Sequence, residues 1–192
     1  MTLRFASRSG RSTLIVGDGT RCVDLEQASG GRLPWRPNEA FARWAEVRDF
    51  AASCADPGVP FTHADLDAPS PRPHQVFGIG LNYRTHAEES NMEIPTSPLC
   101  FTKFASSVAG PAATIPVLGS AIDWELELVV VIATGGRHIK AGSAWDCVAG
   151  VCVGQDVSDR KLQFVTKPPQ FNLGKSRQNY SPFGPWLVDA KD

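Results

Sequence analysis

Asp123-Trp124-Glu125-Leu126-Glu127-Leu128, followed without a break by Val129–Ile132, alternates acidic and apolar residues and then turns wholly apolar. Period two is the period of a strand, whose side chains at i and i+2 share a face about 7 Å apart. The reading places Asp123, Glu125 and Glu127 on one face and Trp124, Leu126 and Leu128 on the other. Acids that close repel one another unless a cation or a base lies between them. Mg²⁺ or Mn²⁺, which prefer hard oxygen donors, would suit. A solvated strand face would show the same alternation.

Working outward, a second apolar run, Cys147–Val153, ends in Gly154-Gln155-Asp156. Strand ends are where a rigid scaffold meets solvent, so Asp156 could complete a three-carboxylate site; an Asp that starts a turn is the alternative. Upstream, Val76–Leu81 reads as another strand. It is followed by Asn82-Tyr83-Arg84-Thr85-His86-Ala87-Glu88-Glu89. If that stretch is helical, His86 and Glu89 share a face at i, i+3. A carboxylate on one imidazole nitrogen fixes the tautomer, leaving the other nitrogen free to take a proton from water. A surface His–Glu pair is the plain alternative.

The rest of the chain bounds the answer. It has 192 residues, 42% hydrophobic and 20% charged, with 19 basic against 20 acidic side chains. These proportions describe an ordinary globular chain, and with no basic block they give no reason to expect nucleic acid. No apolar run approaches membrane-spanning length, so no membrane partner is expected. Five cysteines without a C-x-x-C pair suit free thiols in a reducing compartment, and the cytoplasm is expected. The N-terminus lacks the apolar core of a secretory signal and only weakly echoes a transit peptide.

Several motifs fail. Gly78-Ile79-Gly80 is followed by Tyr83 where a dinucleotide fingerprint needs glycine, and Pro169 stands where Gly174-Lys175-Ser176 would need the first glycine of a P-loop. No G-x-S-x-G occurs, and the four histidines form no H-x-x-x-H pair.

The expected fold class is mostly β, with some helix (α+β). Residues 1–36 read as small hairpins. An amphipathic helix is expected over residues 38–54, with Asn38 as its N-cap, and a short helical segment near 141–147, capped by Ser143. Residues 55–74, rich in proline and aspartate, read as a linker. This divides the chain into a small N-terminal β-rich domain with its linker, 1–70, and a catalytic domain, 71–192.

The order of these elements resembles the fumarylacetoacetate hydrolase family. The matching blocks are Asn82-Tyr83-x-x-His86-x-x-Glu89, Phe101-Thr102-Lys103, Gly110-Pro111, Asp123–Leu128, Asp156-Val157-Ser158-x-Arg160-x-x-Gln163, and Gly174-Lys175-Ser176 with Pro182-Phe183-Gly184-Pro185. The resemblance implies a mixed β-sandwich roll with its site at one end, and a homodimer. It also implies a Mg²⁺ or Mn²⁺ ion held by Glu125, Glu127 and Asp156, and a His86–Glu89 dyad that activates water. Arg160, Gln163 and Lys175 would hold the substrate and its developing oxyanion, with Lys103 and Tyr83 also lining its site.

The activity it implies is metal-dependent hydrolysis of a carbon–carbon bond in an acylpyruvate or other keto or diketo acid, through a stabilised enolate. An oxaloacetate-type decarboxylase, a 2-hydroxymuconate-type isomerase or a non-catalytic shortened homologue are the alternatives. The chain departs from common family usage at Gln155 (often Asn), Phe104 (often Pro), Gln178 (often Asp) and Lys161 (often an acid). Members typically continue past the Gly-Pro block with further strands. If nothing completes the sheet, an open edge and an exposed apolar surface are expected.

Overall fold

The structure is a computed structural model that describes residues 2–89, 91 and 93–191, apart from the side chain of His86. Short strands open the chain: β1 (Arg4–Arg8), β2 (Arg11–Val16) and β3 (Arg21–Asp24). They form the expected hairpins. Ser9 and Gly10 turn β1 into β2 with positive φ, 52° and 73°, a region glycine enters without strain.

Asp24 then caps α1 (Leu25–Ala28), its carboxylate accepting from the Gln27 N–H at 3.0 Å. The amphipathic stretch that follows is two helices, α2 (Pro37–Ala42) and α3 (Trp44–Ser53), broken at Arg43. Asn38 is not the cap. Pro37 fixes the first helical φ, so the helix begins a residue earlier, and the Asn38 amide donates instead to the Arg72 carbonyl at 2.9 Å. Of the apolar face expected at Phe41, Trp44, Ala45 and Phe50, Phe41 and Trp44 are buried and Phe50 is half-buried, but Ala45 is exposed and Val47 is buried instead; Phe5, Phe41 and Trp44 meet at ring distances of 5.1 to 5.6 Å.

The proline-rich stretch does not hang free. It carries β4 (Val59–Pro60), which pairs with β3, and Asp67 bridges back to Ser7; Leu66 and Ala68 are buried. Beyond it come β5 (Val76–Gly80), α4 (Arg84–Glu89), β6 (Leu99–Lys103), β7 (Val108–Ala109) and β8 (Ile122–Asp123). These are followed by β9 (Leu126–Ile132), β10 (Val148–Gln155), β11 (Ser158–Asp159), α5 (Arg160–Gln163), α6 (Phe171–Gly174) and β12 (Ser181–Asp189). Residues 141–147 form a 3₁₀ segment with Lys140 as its cap; the Ser143 side chain does not cap it.

The main sheet runs β4-β3-β2-β1-β12-β10-β9, with β7 parallel to β12. The first and last strands are therefore neighbours, and one core contains Phe5, Leu14 and Leu25 from the front with Ala149, Cys152 and Leu187 from the back. β5 and β6 form a separate two-stranded antiparallel sheet, as do β8 and β11.

At the other edge, β9 alternates as expected, but its apolar face is bare. Trp124, Leu126, Leu128, Val130 and Ile132 are all exposed, Trp124 at 70%. Val153 on β10 adds to this surface. Among the described residues no helix is long and apolar enough to cross a membrane.

Candidate active site

β9 and β10 are antiparallel, and their register decides the site. Gly154 lies opposite Glu127 and Gln155 opposite Leu126. One step further, the Asp156 N–H donates to the Glu125 carbonyl at 2.9 Å. Two acids thirty-one residues apart thereby become cross-strand neighbours. Gly154 has no room for a side chain there: a Cβ would fall 2.5 Å from Val129 and 3.0 Å from Phe183.

Three cations answer the acids. The Lys175 ammonium lies 2.7 Å from Glu125 Oε2 and 2.7 Å from Asp156 Oδ2. The Lys103 ammonium lies 2.5 Å from Asp156 Oδ1 and donates to the Tyr180 carbonyl at 2.8 Å. The Arg160 guanidinium bridges Glu125 at 2.6 Å and Asp123 at 2.8 Å, and lies 3.3 Å from Gln163 Oε1. Lys103, Lys175, Asp156 and Gln163 are buried. Burial pulls the Lys103 ammonium below its usual range against the pull of Asp156. Arg160 holds the Asp123 carboxyl below its usual range by hydrogen bonding. The Glu127 carboxyl is pushed up, first by burial and then by Asp156 and Glu125.

Local structure sets these groups. Asp159 caps α5 through the Leu162 N–H at 3.1 Å, which aims Arg160 and Gln163 inward. Gly174 lets α6 close on α5, since a Cβ would meet Gln163 Cγ at 2.8 Å and the Asp159 carbonyl at 2.9 Å. Lys175, the residue that ends α6, is delivered to the acids by that closure.

The donor set fits a hard divalent ion by its chemistry. Glu125 and Asp156 adjoin, and the Glu127 carboxyl is raised first by burial and then by those two acids, a repulsion that an added cation would relieve. The ammonium of Lys175, however, spans Glu125 and Asp156. Among the described residues no three acids, histidines or cysteines are arranged to hold a metal ion.

Seven expected site residues are thus gathered or adjoin one another: Lys103, Glu125, Glu127, Asp156, Arg160, Gln163 and Lys175. Glu89 and Tyr83 are not joined to them by any hydrogen bond or ion pair among the described residues, and both side chains are exposed. Arg84–Glu89 is helical, the condition on which the His86–Glu89 spacing is read. The His86 side chain lies outside what the structure describes.

Asp159, Arg177 and Phe101 were not anticipated. Asp159 caps α5 and pairs with Arg177 at 2.8 Å. The Phe101 ring lies under the Lys175 ammonium, 5.1 Å from centroid to nitrogen. Phe101 and Lys103 sit at i and i+2 of one strand, so the period-two rule that grouped the acids would have put them on a shared face.

The fold thus brings buried carboxylates and ammonium groups together at the ends of its strands. Residues 75–192 match the family described as fumarylacetoacetate (FAA) hydrolase C-terminal, and the chain belongs to that family.

Among its relatives is the human protein named oxaloacetate tautomerase FAHD2A, mitochondrial, 42% identical over 134 residues, which are 69% of this chain and 43% of that protein. The crystal structure of a Mycobacterium smegmatis protein designated HpcE superposes with a TM-score of 0.89 at 42% identity, covering 98% of this chain and 67% of that one. Maleylpyruvate hydrolase from Sphingobium sp. SYK-6, solved with manganese(II) and pyruvate, shares the fold. It is 20% identical, with a TM-score of 0.74, covering 98% of this chain and 67% of that one. The chain spans about half the length of the curated relatives it matches.

Proposed function

We propose that this chain binds a keto or diketo acid and cleaves a carbon–carbon bond of an acylpyruvate by hydrolysis, through an enolate. The observation that carries this reading is the meeting of Glu125 and Asp156 beneath Lys175, with Glu127 beside them. Glu125, Glu127 and Asp156 would hold Mg²⁺ or Mn²⁺. A divalent ion there supplies a Lewis acid for the oxygens of the keto acid.

The chain's own groups do the rest. His86, oriented by Glu89, takes a proton from water. The water oxygen adds to the acyl carbonyl, the carbon–carbon bond breaks, and the departing enolate then takes up a proton. Lys175 stabilises the charge that develops on oxygen, in a site where it is already desolvated. Arg160, Gln163 and Lys103 position the acid, and Tyr83 borders its entry. A homodimer in a reducing compartment such as the cytoplasm, with a small molecule as the only other partner, completes the proposal.

A second reading rests on the name of the 42%-identical human relative. Keto–enol tautomerisation of a dicarboxylic keto acid needs the same enolate but no bond cleavage. Decarboxylation and isomerisation share that intermediate too.

Calorimetric titration with Mn²⁺, wild type beside Glu127→Gln, tests the site first. One saturable site lost in the variant is expected. An acylpyruvate panel and an oxaloacetate enol absorbance assay then separate cleavage from tautomerisation. Full Mn²⁺ binding by Glu127→Gln would discard the proposed ligand set.

A further inference from the structure

Beside the charged cluster stands a run of aromatic rings that the proposed chemistry does not use. The tip of the Phe101 ring seats where a Cβ on Gly78 would be; that atom would fall 2.3 Å from the ring. Phe101 packs edge-on against Phe171 with centroids 5.8 Å apart, and Phe171 against Phe164 at 5.7 Å. Phe164 and Phe171 flank the loop between α5 and α6. The Gln170 N–H closes that loop on the Gln163 carbonyl at 3.1 Å. Phe164 is 57% exposed at the outer end, while Phe101 lies against Lys175 at the inner end.

We propose that Phe101, Phe171 and Phe164 form the wall that receives the part of the substrate remote from its keto-acid head, selecting an apolar substituent over a second carboxylate. This rests on the keto-acid reading of the site. The three cations of the cluster, Lys103, Lys175 and Arg160, are each already paired with an acid. A carboxylate laid along the rings would lose water and meet the negative faces of the π systems without a new partner. A phenyl or branched alkyl group would lose water to its advantage and could stack.

The test is equilibrium binding to the 192-residue chain with Mn²⁺ present, using three probes that share a two-oxygen head. Oxalate has no tail, 2-oxoglutarate has an acidic tail, and 4-phenyl-2-oxobutanoate has a phenyl tail. The phenyl acid is expected to bind at least about tenfold tighter than 2-oxoglutarate. Phe164→Ala, at an exposed position, is expected to shrink that ratio at least about threefold while oxalate affinity stays within about twofold. Phe164→Arg is expected to shift preference toward 2-oxoglutarate. Equal binding of the two tailed acids, or a ratio untouched by both variants, overturns the wall alone. Failure of oxalate to bind overturns the keto-acid reading and the wall with it.

Discussion

The ammonium of Lys175 lies between Glu125 and Asp156, 2.7 Å from an oxygen of each, and so joins two acids that the β9–β10 register has already made neighbours. Removing it leaves buried negative charge with less compensation. We predict that Lys175→Met destabilises the fold by about 3 kcal/mol, the usual cost of breaking a buried pair from one side. Urea unfolding measures it; a midpoint unchanged from wild type would show that the contact contributes nothing to the fold.

Glu127 has the opposite relation to stability. Its carboxyl is raised by burial and by its acidic neighbours, so the folded state favours the protonated form. A raised folded pKa means that stability is fullest below the unfolded value, near 4.5, and declines as pH rises through the raised one. At neutral pH the charge is a cost. Glu127→Gln is therefore expected to raise Tm at pH 7.5 by about 1–2 °C, solvent screening having reduced the effect, and to leave Tm unchanged at pH 4. Differential scanning calorimetry at the two pH values would show this; a lower Tm at pH 7.5 would contradict it. The same variant is expected to lose Mn²⁺ binding, which would mark a residue kept for its ligand role against the interest of the fold.

Chelation separates the metal from the base. EDTA is expected to abolish turnover of an acylpyruvate and added Mn²⁺ to restore it. His86→Ala is expected to leave Mn²⁺ affinity within about twofold and to lower kcat by about 10²-fold or more, the usual scale of a general base. Loss of metal binding in that variant would overturn the division of roles.

Gly78→Ala offers a structural check. The new methyl would fall 2.3 Å from the Phe101 ring, which must move. Overpacking of this kind costs about 1–3 kcal/mol. A near-UV circular dichroism change should accompany the loss, because the ring also contacts Phe171. A fully wild-type spectrum and midpoint would show that the ring is not held there.

The bare face of β9 should govern behaviour in solution. Leu126, Leu128 and Val130 are exposed on an edge strand, the arrangement that invites edge-to-edge pairing. Leu128→Lys is expected to reduce association over about 10–100 µM, read by light scattering, without loss of secondary structure. Association unchanged by the substitution would place the sticky surface elsewhere.

Strands with strong apolar runs were legible in the sequence. Val76–Leu81, Leu126–Ala133 and Cys147–Val153 anticipate β5, β9 and β10 within a residue or two, because hydrophobic periodicity is local. The acids were legible as chemistry, and the family resemblance supplied their grouping. Their pairing was not legible, since it depends on a register between strands about twenty residues apart. Nor was the use of Lys103 and Lys175 as counter-charges, which requires β6 and α6, far apart in sequence, to pack together beside the acids. The helix near 38–54 failed at its start for a simple reason: Asn38 is a good cap in isolation, but Pro37 suits the first turn better.

The adjacency of β1 and β12 also has a consequence in time. Arg4 and Phe5 find their partners only at Val188 and Leu187, almost the whole described chain away. On a ribosome, the β1–β2 hairpin is finished early and Asp67 can close on Ser7, yet the start of β1 at Arg4 and Phe5 must wait, unpaired, until β12 emerges. Contacts of such long sequence separation slow folding and prolong exposure of unfinished intermediates. The seam between β1 and β12 is therefore where synthesis rate and chaperone access should matter for yield.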